Sequence, residues 1–86
     1  MIVTLRLFAA AREAAGCASE AHDVPAGTTI EALLAEAVQR HGPDFAAVLA
    51  TARVWLNGDE PSAGPATVLH DGDELAVLPP VSGGAN

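Results

Sequence analysis

Residues 28–43, T-T-I-E-A-L-L-A-E-A-V-Q-R-H-G-P, carry the clearest helical signal in the chain. Thr28 and Glu31 have the spacing of a capping box, and Gly42-Pro43 ends the pattern. Between these signals, five apolar side chains and one histidine recur at intervals of three and four residues: Ile30, Leu33, Leu34, Ala37, Val38 and His41. The stretch therefore predicts an amphipathic helix over residues 29–41 with one buried face.

Short segments on both sides of this helix have the patterns of strands and turns. In residues 2–8 apolar and polar side chains alternate, which is typical of a half-buried strand. Further strands are predicted at residues 20–24, 53–56, 67–69 and 74–78. Two short helices are predicted, one over 9–16 ending in a glycine and one over 45–50 capped by Asp44.

The order of these elements indicates an α+β fold. The first and last strands are the most apolar, as expected of strands with a neighbour on each side and a helix across one face. We therefore predict a β-grasp, or ubiquitin-like, fold with a mixed sheet of four to five strands packed on one main helix. The predicted domain covers residues 1–78, and residues 79–86 form a flexible C-terminal tail.

Composition excludes several classes of function. The chain has 86 residues, of which 50% are hydrophobic, and one cysteine, which indicates a single domain without disulfides in a reducing cytoplasm. No apolar run approaches the about 20 residues of a membrane span. Eleven acidic residues against four basic ones give a net charge of −7, which argues against nucleic acid and anionic membranes as partners. The charge fits a partner with a basic face, or simply keeps an alanine-rich surface soluble.

Side chains that could support catalysis are few. His22, His41 and His70 lack the spacing of metal ligands, and no lysine lies near Cys17. The acidic turn at residues 71–74 is explained by turn chemistry without a cation. We therefore expect no bound metal or cofactor and no active site of the chain's own.

The C-terminus has an unusual composition, P-P-V-S-G-G over residues 79–84. Pro79 and Pro80 favour an extended backbone, and a diglycine has no side chains, so it could enter a channel too narrow for a Cβ atom. An ordinary loose terminus would also have such a composition.

Two stretches of the chain resemble the small subunit of molybdopterin synthase, a ubiquitin-like sulfur carrier. The first is Leu7-Phe8-Ala9 followed by Arg12-Glu13 and Gly16, and the second is D-G-D-E-L-A-V-L-P-P-V-S-G-G over residues 71–84. The resemblance implies that an E1-like enzyme uses ATP to adenylate the carboxylate of Gly84, which a persulfide donor converts to a thiocarboxylate. It also implies delivery of that sulfur, inside the large catalytic subunit, to a pyranopterin precursor of molybdopterin.

The resemblance also implies which residues take part. Gly84 carries the sulfur, and Gly83 lets the tail pass through the partner's channel. Phe8 lies off the predicted buried face of the first strand, and we expect it to contact partners together with the tail residues Pro79, Pro80, Val81 and Ser82.

The chain departs from the family pattern in continuing past Gly84 with Ala85 and Asn86. The family's reactive glycine is the last residue, so the resemblance implies removal of Ala85-Asn86 by a processing protease, a variant branch of the family or an altered chain end. Two other functions stay open: a sulfur carrier for thiamine thiazole or cysteine synthesis, and a non-catalytic ubiquitin-like interaction module.

Overall fold

Four strands form one mixed sheet in the computed structural model, which describes residues 1–80. The strands are β1 (Ile2–Leu7), β2 (Ser19–Asp23), β3 (Arg53–Leu56) and β4 (Glu74–Leu78), in the spatial order β2-β1-β4-β3. β1 pairs with β4 in parallel, and the two outer pairings are antiparallel. The two most apolar strands therefore occupy the centre of the sheet, as the sequence predicts.

Three helices cover one side of this sheet. They are α1 (Ala9–Ala15), α2 (Ile30–His41) and α3 (Pro43–Leu49), with a single 3-10 turn at Gly64–Ala66. One apolar cluster joins the sheet to the helices: Val3, Leu5, Leu7, Ala11, Val24, Ile30, Leu33, Ala37, Phe45, Leu69, Leu75 and Val77. The predicted α+β, β-grasp architecture is confirmed, with four strands in the sheet.

The start of α2 lies one residue later than the capping-box spacing predicts. Thr29 is the N-cap, and its Oγ1 accepts a hydrogen bond from the Ala32 N–H at 3.3 Å. The Thr28 hydroxyl instead donates to the Pro25 carbonyl at 2.7 Å, within the preceding turn. Glu31 is thus the second residue of the helix, one position too early for a reciprocal capping box.

The buried face of α2 is narrower than the periodicity suggests. Ile30, Leu33 and Ala37 are buried, whereas Leu34 and Val38 are half-buried. The latter two line an open groove of about 460 Å³ between α2, α3, β3 and the segment around the 3-10 turn. Because that segment contains two prolines and little apolar bulk, it covers this flank of the helix only in part.

Two further sequence predictions are corrected by the backbone. Residues 67–69 form no strand; Val68 makes only an isolated bridge to Thr29, because the partner segment turns into α2 directly after Thr29. α3 begins at Pro43 with Gly42 as its N-cap, so Asp44 is not the capping residue. Proline suits the first helical position because its missing N–H would have no partner there.

Truncation of Leu33 tests this core. Leu33 is fully buried, so Leu33→Ala should lower the free energy of unfolding by about 2–5 kcal/mol. Leu34→Ala removes the same atoms from a half-buried side chain at the neighbouring position. It should lower the free energy of unfolding by less than Leu33→Ala does. Denaturant titration of both variants measures the difference; equal losses would contradict the assignment of the buried face.

Candidate partner-binding face

The outer face of the sheet, away from the helices, carries an apolar strip across three strands. The β-ladder registers place Arg6, Ala76 and Trp55 in one row across β1, β4 and β3. In the next row, Leu78 of β4 lies opposite Arg53 of β3. These side chains alternate with the buried ones along each strand, so they point to the side that no helix covers.

Phe8 extends this strip beyond the end of β1. It is 39% exposed and has an extended backbone, with φ −124° and ψ 152°. The chain then turns sharply into α1 through Ala9, whose φ is +50°, a conformation that non-glycine residues seldom adopt. The Arg6 guanidinium carbon lies 5.7 Å from the centre of the Phe8 ring, a cation–π distance. Phe8 is therefore held at the surface, as the strand alternation predicts.

The charge around this strip is mixed rather than uniformly acidic. Two of the four arginines of the chain, Arg6 and Arg53, lie on it, and both are exposed. Arg6 forms an ion pair with Glu74, with 3.6 Å between Nη1 and Oε2. Arg53 makes no ion pair within residues 1–80. The acidic loop residues Asp59 and Asp71 lie at the opposite end of β4. Cationic side chains therefore lie on the strip, and these two acidic loop residues lie away from it.

The C-terminal segment leaves the sheet beside this strip. β4 ends at Leu78 between β1 and β3, with Pro79 half-buried and Pro80 exposed. The other predicted tail residues, Val81, Ser82, Gly83 and Gly84, lie outside the described residues. Their roles in partner binding and chemistry therefore stay predictions.

Two histidines that are distant in sequence meet at one carboxylate. His41 Nε2 lies 2.8 Å from Glu20 Oε1, and His22 Nε2 lies 2.5 Å from Glu20 Oε2. The third histidine, His70, is an exposed side chain at the far end of the sheet. Within residues 1–80 no group of three or more histidine, cysteine or acidic side chains is arranged to hold a metal ion.

Sequence reasoning missed Glu20 as the centre of this cluster. Glu20 and His22 alternate along β2 and therefore share the face of the strand that meets α2. The position of His41 at the end of the apolar stripe of α2 was the second available signal. Neither pattern shows that His41 of α2 comes to lie beside Glu20 of β2.

Cys17 also contacts this cluster. It is half-buried, with Sγ 3.4 Å from Glu20 Oε1. Burial, followed by the hydrogen bond and negative charge of Glu20, raises the pKa of the thiol. Because the thiolate is the reactive form, Cys17 is a poor nucleophile.

The acidic turn before β4 has structural partners. Asp71 Oδ1 accepts from the Ile2 N–H at 2.7 Å, and the Asp73 carboxylate accepts from the His70 N–H and the Asn57 side-chain amide. These bonds connect the turn to β1 and to the end of β3, which accounts for the carboxylates without a cation.

The sheet order β2-β1-β4-β3, the helix packed across it and the exposed outer strip define a ubiquitin-like β-grasp domain. The sequence profile of the ThiS family matches residues 5–84. A molybdopterin synthase sulfur carrier subunit from Chlamydomonas reinhardtii is 34% identical over 84 residues, which cover 98% of this chain and 100% of the relative. The protein of the same name from Arabidopsis thaliana is 37% identical over 82 residues, covering 95% of this chain and 82% of the relative.

A solved structure agrees with these matches. SAMP1, the small archaeal modifier protein 1 of Haloferax volcanii, superposes with a TM-score of 0.84 and 31% identity, over 96% of this chain and 99% of that one. The chain therefore belongs to the ThiS family, together with the molybdopterin synthase sulfur carrier subunits that it matches over nearly its full length.

The helices of residues 1–80 are short. The longest, α2, has 12 residues, so no helix in this part of the chain is long and apolar enough to cross a membrane.

The Glu20 cluster predicts loss of stability in acid. Burial raises the pKa of Glu20, but the hydrogen bonds from His22, His41 and Cys17 outweigh burial and hold the pKa below the usual range of glutamate. Because the folded-state pKa lies below the unfolded value of about 4.3, ionised Glu20 stabilises the fold above that pH. This contribution is lost as the pH falls through the folded-state value.

Acid titration monitored by circular dichroism measures this effect. Glu20→Gln should be less stable than the wild type near pH 7 but should lose less stability on acidification. Glu13→Gln removes an equal charge from an exposed position on α1 and should keep the acid sensitivity of the wild type. If Glu20→Gln lost as much stability on acidification as the wild type, the stabilising role of ionised Glu20 would be contradicted.

Proposed function

We propose that the chain is the sulfur carrier of a molybdopterin synthase. The observation that carries this proposal is the match to curated sulfur carrier subunits of that synthase over 98% and 95% of the chain. In the proposed reaction, Gly84 becomes the C-terminal residue after removal of Ala85-Asn86 and carries the sulfur as a thiocarboxylate.

The chemistry requires activation because a carboxylate is a poor acyl donor. On an E1-like enzyme, an oxygen of the Gly84 carboxylate attacks the α-phosphorus of ATP, and pyrophosphate leaves. A persulfide sulfur then attacks the acyl carbon of the adenylate and AMP leaves, forming an acyl persulfide. A thiol cleaves its S–S bond, becoming a disulfide, and a thiocarboxylate remains on Gly84.

The reacting groups other than the tail belong to the partners. ATP is bound by the activating enzyme, and the pyranopterin precursor that accepts the sulfur is bound by the large catalytic subunit. This division of labour agrees with the described residues, in which His22, His41 and Cys17 are engaged in a structural cluster rather than in a nucleophile–base pair.

The outer strip is suited to dock these partners. Phe8, Trp55 and Leu78 supply apolar contact area, and exposed Arg53 offers a cation for an acidic group of the partner. The chain leaves the sheet at the same end, after Leu78. The six residues from there to Gly84 span roughly 20 Å when extended, so a partner bound to the strip would have its reaction centre within that distance.

A second candidate function is protein modification. The likeness to the small archaeal modifier favours it, because the chain has a diglycine and a similar fold. Activation would be the same, but the acyl group of Gly84 would pass to an amine of a target protein. The acceptor therefore distinguishes the two functions, whereas adenylation does not.

Truncation after Gly84 tests the activation step. The truncated chain should support ATP–pyrophosphate exchange by the cognate activating enzyme, whereas the full-length chain should not until Ala85-Asn86 are removed. Exchange requires a free carboxylate at Gly84, which is an amide in the uncut chain. Gly84→Ala in the truncated form should keep the fold but transfer little sulfur, since its Cβ obstructs a channel shaped for glycine.

Intact mass spectrometry of the reaction products supplies the second readout. A sulfur carrier gains the mass difference between one sulfur and one oxygen, while a modifier becomes attached to a larger protein. Equal exchange by the full-length and truncated chains without cleavage would contradict the processing step.

Substitution of Phe8 tests docking to the large subunit. Phe8→Ala should weaken binding by about 2 kcal/mol, or roughly thirtyfold, because aromatic anchors contribute a large share of interface energy. Val68→Ala is the matched control, since Val68 is similarly exposed at 44% but lies in the turn before β4. Isothermal calorimetry measures both affinities, and equal losses in the two variants would contradict the assignment of the outer strip.

A further inference from the structure

His22 joins the edge strand β2 to helix α2 through two carboxylates. Its side chain is buried, with 1% of the residue exposed. Nε2 lies 2.5 Å from Glu20 Oε2 on the same strand, and Nδ1 lies 2.8 Å from Glu36 Oε1 on α2. We refer to these three residues, Glu20, His22 and Glu36, as the imidazole clamp.

This geometry specifies the protonation state of the ring. An ionised carboxylate can only accept hydrogen bonds, and a neutral imidazole has one N–H to donate. Two simultaneous hydrogen bonds to carboxylates therefore require a proton on each ring nitrogen. His41 differs because only its Nε2 meets a carboxylate, and the Nδ1 of exposed His70 is 3.9 Å from Asp73.

The groups around the clamp favour ionised carboxylates. Two side chains of α2 contact the Glu20 carboxylate: Arg40 Nη1 lies 3.5 Å from Oε2, and His41 Nε2 lies 2.8 Å from Oε1. The thiol of Cys17 also contacts Oε1. On β1, the residue paired with His22 is Val3, which has no charge. The Glu36 side chain is 47% exposed, whereas that of Glu20 is 11% exposed. Glu20 is therefore fixed in the cluster, and Glu36 has access to water.

We propose that the imidazole clamp is a proton-dependent fastening between α2 and β2. With both ring nitrogens protonated, His22 donates to Glu20 and Glu36 and joins the two elements. When one proton leaves, a lone pair of the ring faces a carboxylate lone pair. Because Arg40 and His41 retain Glu20, Glu36 is the group that moves out to solvent and releases this contact.

The clamp makes stability fall as the pH rises through neutrality. An imidazole in the unfolded chain carries one ring proton above about pH 6.5, whereas the two hydrogen bonds of the clamp need a proton on each ring nitrogen of His22. The folded state then binds one proton more than the unfolded state, so the unfolding equilibrium constant rises by up to tenfold per pH unit. The stabilisation is complete below about pH 6.5 and is lost as the folded chain releases the proton.

The substitution Glu36→Gln separates this clamp from other titrating groups. The amide of glutamine can donate to an unprotonated Nδ1, so the variant keeps the contact without the second proton. Glu31→Gln removes the same charge from an exposed position on α2 and contacts no imidazole. Both variants keep the N-terminal amine, His41 and His70, so the difference between the two variants reports the clamp.

Urea unfolding between about pH 6 and pH 8.5 measures the effect in the wild type and both variants. The unfolding constant of the wild type and of Glu31→Gln should rise with pH, and that of Glu36→Gln should rise several-fold less over the range. Parallel slopes in the two variants would overturn the proposal. Nitrogen-15 spectra of the imidazoles give a measurement without substitution: near pH 7.5 His22 should have protons on both ring nitrogens, as its two hydrogen bonds to carboxylates require. A single proton on His22 at that pH would also overturn it.

Discussion

The parallel pairing of β1 with β4 is the constraint on which the rest of the structure depends. It places Leu5 beside Leu75 and Leu7 beside Val77, so the first and last strands together form the centre of the core. Parallel neighbours need a long crossover connection, and the chain supplies one that contains α2 and α3. The same pairing brings the C-terminal ends of both strands to one end of the sheet, where β4 ends at Leu78 and Phe8 follows β1.

This arrangement explains why the outer strip and the point where the chain leaves the sheet share one end of the sheet. The rigid sheet fixes the strip through the register of β1, β4 and β3, and the chain leaves that register after Leu78. His22, His41 and Cys17 gather around Glu20 on the side of the sheet that the helices cover, whereas the outer strip lies on the opposite side.

The elements that follow a strong period were predictable from sequence, and those set by tertiary contacts were not. The alternation in residues 2–7 and the stripe on α2 gave the strands, the main helix and the exposure of Phe8. The choice between Thr28 and Thr29 as N-cap depends on a turn that occupies the Thr28 hydroxyl. The half-burial of Leu34 depends on how little the proline-containing segment covers. The Glu20 cluster depends on which residues of α2 pack beside which residues of β2, and the sequence pattern does not specify that alignment.

The two prolines after β4 have a consequence for the sheet itself. β4 lies between β1 and β3, and each further residue of the strand would need a backbone N–H to extend the ladder. Pro79 and Pro80 have no N–H, and two successive missing donors stop the ladder at Leu78. Each residue added to a strand would withdraw about 3.3 Å of chain from the tail. The prolines therefore fix the residue at which the strand ends, and with it the number of residues between the sheet and Gly84.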